Sequence, residues 1–284
     1  MKKNKLLRKL PQAILAFICS LLLFAILALG CLKLTLFNQN FMIRQTHEVQ
    51  YAQLVTKEIN TTIQDYGMGS NIPAKVLKNV VSKKLVQENV DSYIRGIYTD
   101  VPFQLTGEDQ VKNQIQTVSE AYAKEKGYTM DAETQKNLDT LKETGVTTLD
   151  KYVELPYLLT FGQQIMQFNK TLTLMIGVIG AVFLLVFFGM MYVSGRWWHR
   201  KVRYMAYIMG GAGLMLSVLP AIIYFKGTVN RIAITSKAMY EFMTTYLNAF
   251  TLTFVWVGVV GILLAVILWG VSEALRRRVA RSGS

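Results

Sequence analysis

Two histidines, two cysteines and 18 carboxylates are the groups in these 284 residues that could bind a metal or move protons. A zinc site needs three or four such ligands converging on one point. His47 has only Glu48 beside it in the sequence, so it reads as a solvated imidazole, and neither a metal nor a cofactor is expected. The Walker-type phosphate loop and the G-x-S-x-G turn of serine hydrolases are both missing from the sequence. Asp91, Glu120 and Asp150 are interleaved with lysines in similar number, the pattern of a wet helical surface. Cys19 and Cys31 lie twelve residues apart in one apolar run, about 18 Å along a helix, too far to bond. These residues predict a non-enzymatic chain with no catalytic group. The stretch best suited to recognition runs from Ser92 to Tyr98, and Tyr93, Arg95 and Tyr98 are its candidate partner-binding surface.

Four stretches hold no Asp, Glu, Lys, Arg or His: Ala13 to Leu32, Thr171 to Gly195, Tyr204 to Phe225 and Phe250 to Val271. A helix needs about 17–25 residues to cross a hydrocarbon core, so each predicts a transmembrane helix, with bounds 13–37, 170–195, 204–225 and 249–272. The uncharged run at the N-terminus is 20 residues long, beyond the roughly 7–15 of a cleavable signal. It is read as a retained span.

Between the spans the charges are segregated. The tail 1–12, the turn 196–203 and the tail 273–284 together carry 13 Lys and Arg against one acid, Glu273, whereas Lys33 to Lys170 carries 15 positive and 16 negative residues. Basic flanks stay on the cytoplasmic side. Both termini and the short turn are therefore predicted inside a plasma membrane, with 38–169 and the loop 226–248 outside; the short lysine-rich start is similar to that of many bacterial membrane proteins. The net charge of +13 is then an orientation device and an attraction to anionic lipid, worth about 1 kcal/mol per residue near the surface. Nucleic acid is excluded as a partner, because the outer segment has no basic face.

The outer segment has helical spacing throughout. Val55, Ile59, Ile63 and Tyr66 form a stripe expected to continue span one outward; Pro73 opens a short helix with Val76, Leu77 and Val80. Val86, Val90, Tyr93, Ile94 and Ile97 follow a cap at Ser82; Thr106 starts a helix with Val111, Ile115, Val118 and Tyr122; Thr129 or Asp131 opens one bearing Leu138, Leu141, Leu149 and Tyr152. Pro156 kinks the approach to span two, and Tyr157, Phe161, Ile165 and Phe168 line one face of it. The expected fold is an all-α integral membrane protein of four transmembrane helices, with an extracytoplasmic helical bundle of four to six helices between the first and second. The first and last helices of that bundle are expected to run into spans one and two. The 226–248 loop is amphipathic, lying on the membrane surface or packing under the outer domain.

Small residues four apart, Gly177 and Ala181, Ala206 and Gly210, Gly261 and Ala265, are the candidate helix-packing positions. Gly210, Gly211 and Pro220 could loosen span three, and Trp197, Trp198 and His199 read as an interfacial anchor. The order of a large outer segment after span one, then three more spans, resembles the permease subunits of the cell-division and lipoprotein-export transporter class. Those carry a cytoplasmic segment between spans two and three that engages an ATPase; the turn Arg196 to Arg203 here is too short for one, so the likeness is of topology alone. The expected function is that of an accessory, sensor or scaffold whose outer domain binds a partner or ligand, beside a membrane or envelope protein or a second copy. An oligomeric transport or channel component is the alternative.

Overall fold

The computed structural model describes residues 10–281 apart from Ser70, Asp100, 129–130, Leu155, 195–197 and Thr235, and the side chains of Leu10, 156–161 and 279–281 are also outside the description. The basic tail before Leu10, Thr129, Tyr157, Phe161, Trp197 and Arg281 therefore lie outside the residues or side chains described. Ten α-helices account for most of the described residues, with no strand among them: α1 (Leu10–Leu34), α2 (Gln39–Glu48), α3 (Tyr51–Gly69), α4 (Lys83–Thr99), α5 (Glu108–Lys126), α6 (Ala132–Val153), α7 (Pro156–Gln167), α8 (Asn169–Val193), α9 (Trp198–Phe225) and α10 (Lys237–Arg281), plus a 3-10 turn at Thr228–Arg231. Four stretches are long and apolar enough to cross a membrane: Pro11–Leu34, Gly162–Val193, Trp198–Phe225 and Lys237–Arg278.

The chain divides into two compact units, one of residues 1–37, 167–232 and 246–284, the other of residues 38–166 and 233–245. In the first, apolar unit, α1 packs against both α8 and α9. Ala16, Cys19, Met190 and Ile208 are buried together there, flanked by Phe183, Phe187 and Tyr204. Cys19 is small apolar filler in that cluster.

The second, polar unit packs α3 against α4 and α6, with α5 paired to α6 and α2 lying on α3 and α4. Its core comes from the helical stripes: Val55, Ile59 and Ile63 of α3, Val86, Val90, Ile94 and Ile97 of α4, Val111 and Ile115 of α5, and Leu138, Leu141 and Leu149 of α6 are all buried. Each such aliphatic side chain contributes about 1.5–3 kcal/mol by leaving water. At Gly145 three helices meet, since a Cβ there would lie 2.6 Å from Ile115 Cδ1 and 3.8 Å from Ile63 Cδ1.

Several local expectations are corrected. The stripe of α3 does not continue span one: α1 stops at Leu34, and Asn38 caps α2 by accepting from the N–H of Asn40 and Phe41. Gln50, at φ 52°, then separates α2 from α3. Residues after Pro73 form turns rather than a helix, closed by Val76 N–H to Pro73 O and Leu77 N–H to Ala74 O. The fifth helix begins after Gly107, in the left-handed region at φ 82°, not at Thr106. Finally, much of the stretch 226–248 expected as a loop is the start of α10, because Ser236 supplies an N-cap, its Oγ accepting the Met239 N–H at 3.2 Å, and no proline or glycine interrupts Lys237 to Val257.

Candidate functional site

Within the polar unit, two buried asparagines each hold a loop by both faces of its backbone. Asn60 of α3 donates Nδ2 to the carbonyls of Thr56 and Val81, while its Oδ1 accepts the Val81 N–H at 3.0 Å. Asn89 of α4 does the same for Thr106, donating to its carbonyl at 3.0 Å and accepting its N–H at 2.9 Å and its hydroxyl at 3.1 Å. A buried amide of this kind is tolerated only when its groups are paired.

The same α3 helix carries a carboxylate that caps a distant helix. Glu58 Oε1 accepts the Ala238 N–H at 3.2 Å, and Ser236 Oγ donates to Glu58 Oε2 at 3.1 Å. The first N–H groups of any helix lack intrahelical partners and form its positive end, so a carboxylate fits there. One turn further, Ala238 and Phe242 are buried, and the Phe242 ring lies 5.5 Å from that of Tyr51 at 52°. Burial first, then the Glu58 charge, raises the Tyr51 phenol above its ordinary range. The seat is therefore a buried aromatic floor with one carboxylate at its edge, and its occupant is the chain's own residues 236–242.

The sequence-predicted surface divides. Tyr93 is buried, 2% exposed, with its ring edge-on to Phe103 at 5.4 Å. Tyr98 is half-buried with its hydroxyl 3.7 Å from Met42 Sδ, and of the three only Arg95 is exposed. Positions 93, 94 and 97 of α4 are buried in the core, and 95 lies on the opposite side of the helix.

His47 has closer company than Glu48. Its Nε2 lies 3.2 Å from both carboxylate oxygens of Asp91 and 2.9 Å from Gln87 Nε2, and Gln87 donates to Asp91 at 2.8 Å. This trio ties α2 to α4. Among the described residues no group of three or more His, Cys, Asp or Glu could hold a metal ion, and the trio contains no hydroxyl or thiol for an imidazole to activate. At the C-cap of α6, Glu154 has its carboxyl raised by burial and then by the Asp150 charge.

In the apolar unit the glycines do packing work. A Cβ on Gly213 would lie 2.6 Å from the Gly258 carbonyl oxygen and 3.0 Å from the Ile262 nitrogen, so α9 and α10 cross backbone to backbone. Around that crossing, a Cβ on Gly210 would meet Ala265 Cβ at 3.3 Å, and one on Gly261 would meet Gly213 Cα at 3.4 Å; Ala206 is buried. Gly211 faces Ser20 of α1, whose hydroxyl donates to the Ile208 carbonyl. Gly177 and Ala181 are different: both are exposed on α8, and a Cβ on Gly177 would meet nothing within 4 Å. Sequence spacing found Gly210, Gly261 and Ala265 but missed Gly213 and Gly258, the tightest pair; their spacing from Gly210 and Gly261 is three, not four.

Polar contacts close both ends of this unit. Lys33 donates to Asn169 and, at 2.8 Å, to Thr173, joining α1 to α8. At the other end Gln12 donates to the Val193 carbonyl and accepts from Tyr204, Ser272 donates to the His199 carbonyl at 2.6 Å, and Arg203 pairs with Glu273 at 3.3 Å.

No family model matches this chain, and no curated protein or solved structure matches it either.

Proposed function

We propose that this chain is a non-enzymatic, multi-pass membrane protein of a bacterial envelope, whose polar unit lies outside and binds a protein, peptide or wall component as the sensor, accessory or scaffold of a membrane complex. One observation carries the reading. Residues 236–242 are seated in the polar unit by Glu58 and Tyr51, and they open a 45-residue helix that includes the last candidate span. In this reading, α10 is the element by which binding at the polar unit is passed on. Segregation of basic residues supports the orientation.

The test is extraction in mild detergent or polymer at native expression, then crosslinking and mass spectrometry. A stoichiometric membrane or envelope partner crosslinked to the polar unit is the expected result, and Glu58→Ala should weaken what that partner causes without abolishing its binding. A strictly monomeric chain that co-purifies with nothing would overturn the reading. Loss of a measurable turnover on His47→Ala would overturn its non-enzymatic part.

A further inference from the structure

At the end of the apolar unit where α9 begins, cations outnumber the groups that can neutralise them. Glu273 takes three guanidinium partners: Arg276 at 2.6 Å, Arg203 at 3.3 Å and Arg277 at 3.4 Å. Arg200, Lys201 and Arg278 have no carboxylate within 4.0 Å among the described residues. The start of α9 is held against this stretch of α10, because Ser272, next to Glu273, donates to the carbonyl of His199, next to Arg200, at 2.6 Å, and Arg200, Arg203 and Arg276 each act electrostatically on His199. The Arg203 Nε is buried with no hydrogen-bond partner. Like charges gathered this way repel unless an anion joins them, and the guanidinium fork matches a phosphate two bonds at a time.

The depth of the cluster says which phosphate. Trp198, with the Lys201 ammonium 5.6 Å from its ring centre, is 72% exposed. Tyr207 and Trp269, on the same two helices, are 54% and 53% exposed. Tryptophan and tyrosine with one wet and one apolar side mark the headgroup layer.

We propose that the α9–α10 end binds the phosphate of an anionic phospholipid headgroup, gripped by Arg200 and Arg276 with Arg203 behind them. Glu273 fixes the fan of arginines, and the lipid supplies the anion it leaves them short of. The proposal rests on the reading that these helices cross a membrane, and it goes beyond diffuse attraction of a basic tail.

The experiment places the full chain in nanodiscs of phosphatidylcholine with or without phosphatidylglycerol, and counts retained lipid by native mass spectrometry after detergent challenge. Phosphatidylglycerol should be retained preferentially, and R200Q/R276Q should reduce that retention by roughly threefold or more, as expected when fork-type contacts are lost. R200Q alone leaves the Glu273 pairs in place and should move the result in the same direction, which guards against a folding defect. K2Q/K3Q removes equal charge elsewhere and should leave retention unchanged. Equal loss in both double variants would overturn the site in favour of diffuse attraction. Equal protection by inorganic phosphate in pure phosphatidylcholine discs would overturn the lipid as its ligand. Failure of the wild-type chain to enter discs at all would instead count against the membrane-spanning reading.

Discussion

Single side chains decide more of the polar unit than their types suggest. Asn60 and Asn89 are each buried, 6% and 0% exposed, and each pairs with a loop backbone that would otherwise keep an orphan N–H and C=O. Asn60→Ala or Asn89→Ala should cost about 1–3 kcal/mol, the penalty of a buried unsatisfied group, in reversible denaturation monitored by circular dichroism. Two carboxylates should respond to pH with opposite sign. Asp131 caps α6, and its hydrogen bonds to Thr134 hold it below the ordinary carboxylate range. Its stabilisation is therefore complete above that range and lost as pH falls through the lowered value; Asp131→Asn, which can still cap, should show a flatter acid limb. Glu154 is raised, so the folded state favours its protonated form, and stability is lost as pH rises through the raised value. Glu154→Gln should accordingly unfold at higher temperature than wild type at neutral pH, with the gap closing below the ordinary glutamate range.

Helices were the level at which the sequence was most legible, and the reasons are physical. Uncharged runs of this length have few uses outside a bilayer, so the four apolar stretches stand out without any knowledge of packing. Stripes such as Val86, Val90, Ile94 and Ile97 record a buried face because one helix determines it alone. What could not be read depends on partners far away in the chain. Glu58 looks like one more solvated acid until Ala238, 180 positions on, presents its N–H. Tyr93 looks like a recognition residue until Phe103 covers it. The small-residue pattern names the right residue types without saying which face meets a neighbour. That difference is measurable: Gly213→Leu or Gly258→Leu forces a side chain against backbone and should destabilise the α9–α10 crossing by about 1–3 kcal/mol. Gly177→Leu, with nothing within 4 Å, should change stability by less than about 0.5 kcal/mol. Resistance to unfolding in mixed micelles of increasing denaturing detergent ranks the three.

For the molecule as a whole, the orientation is the first thing to measure. With Cys19 and Cys31 at 0% and 2% exposure, the natural thiols give little background to a membrane-impermeant maleimide. Lys136→Cys on α6 should label from outside intact cells, and Lys201→Cys on α9 only after the cytoplasmic face is opened. Reversal of the two would invert the topology proposed from the charges. One feature of the architecture also bears on how the molecule is made. The polar unit is assembled from 38–166 and 233–245, so the piece that fills the Tyr51 seat emerges from the ribosome only after the whole of 167–232 has been synthesised. At roughly 5–20 residues per second, the rest of that unit stands for several seconds with its aromatic floor uncovered. It cannot close until two candidate spans have been made, which makes completion of the polar unit a late step of biogenesis and leaves a truncated or stalled chain with an open hydrophobic seat for quality-control factors to find.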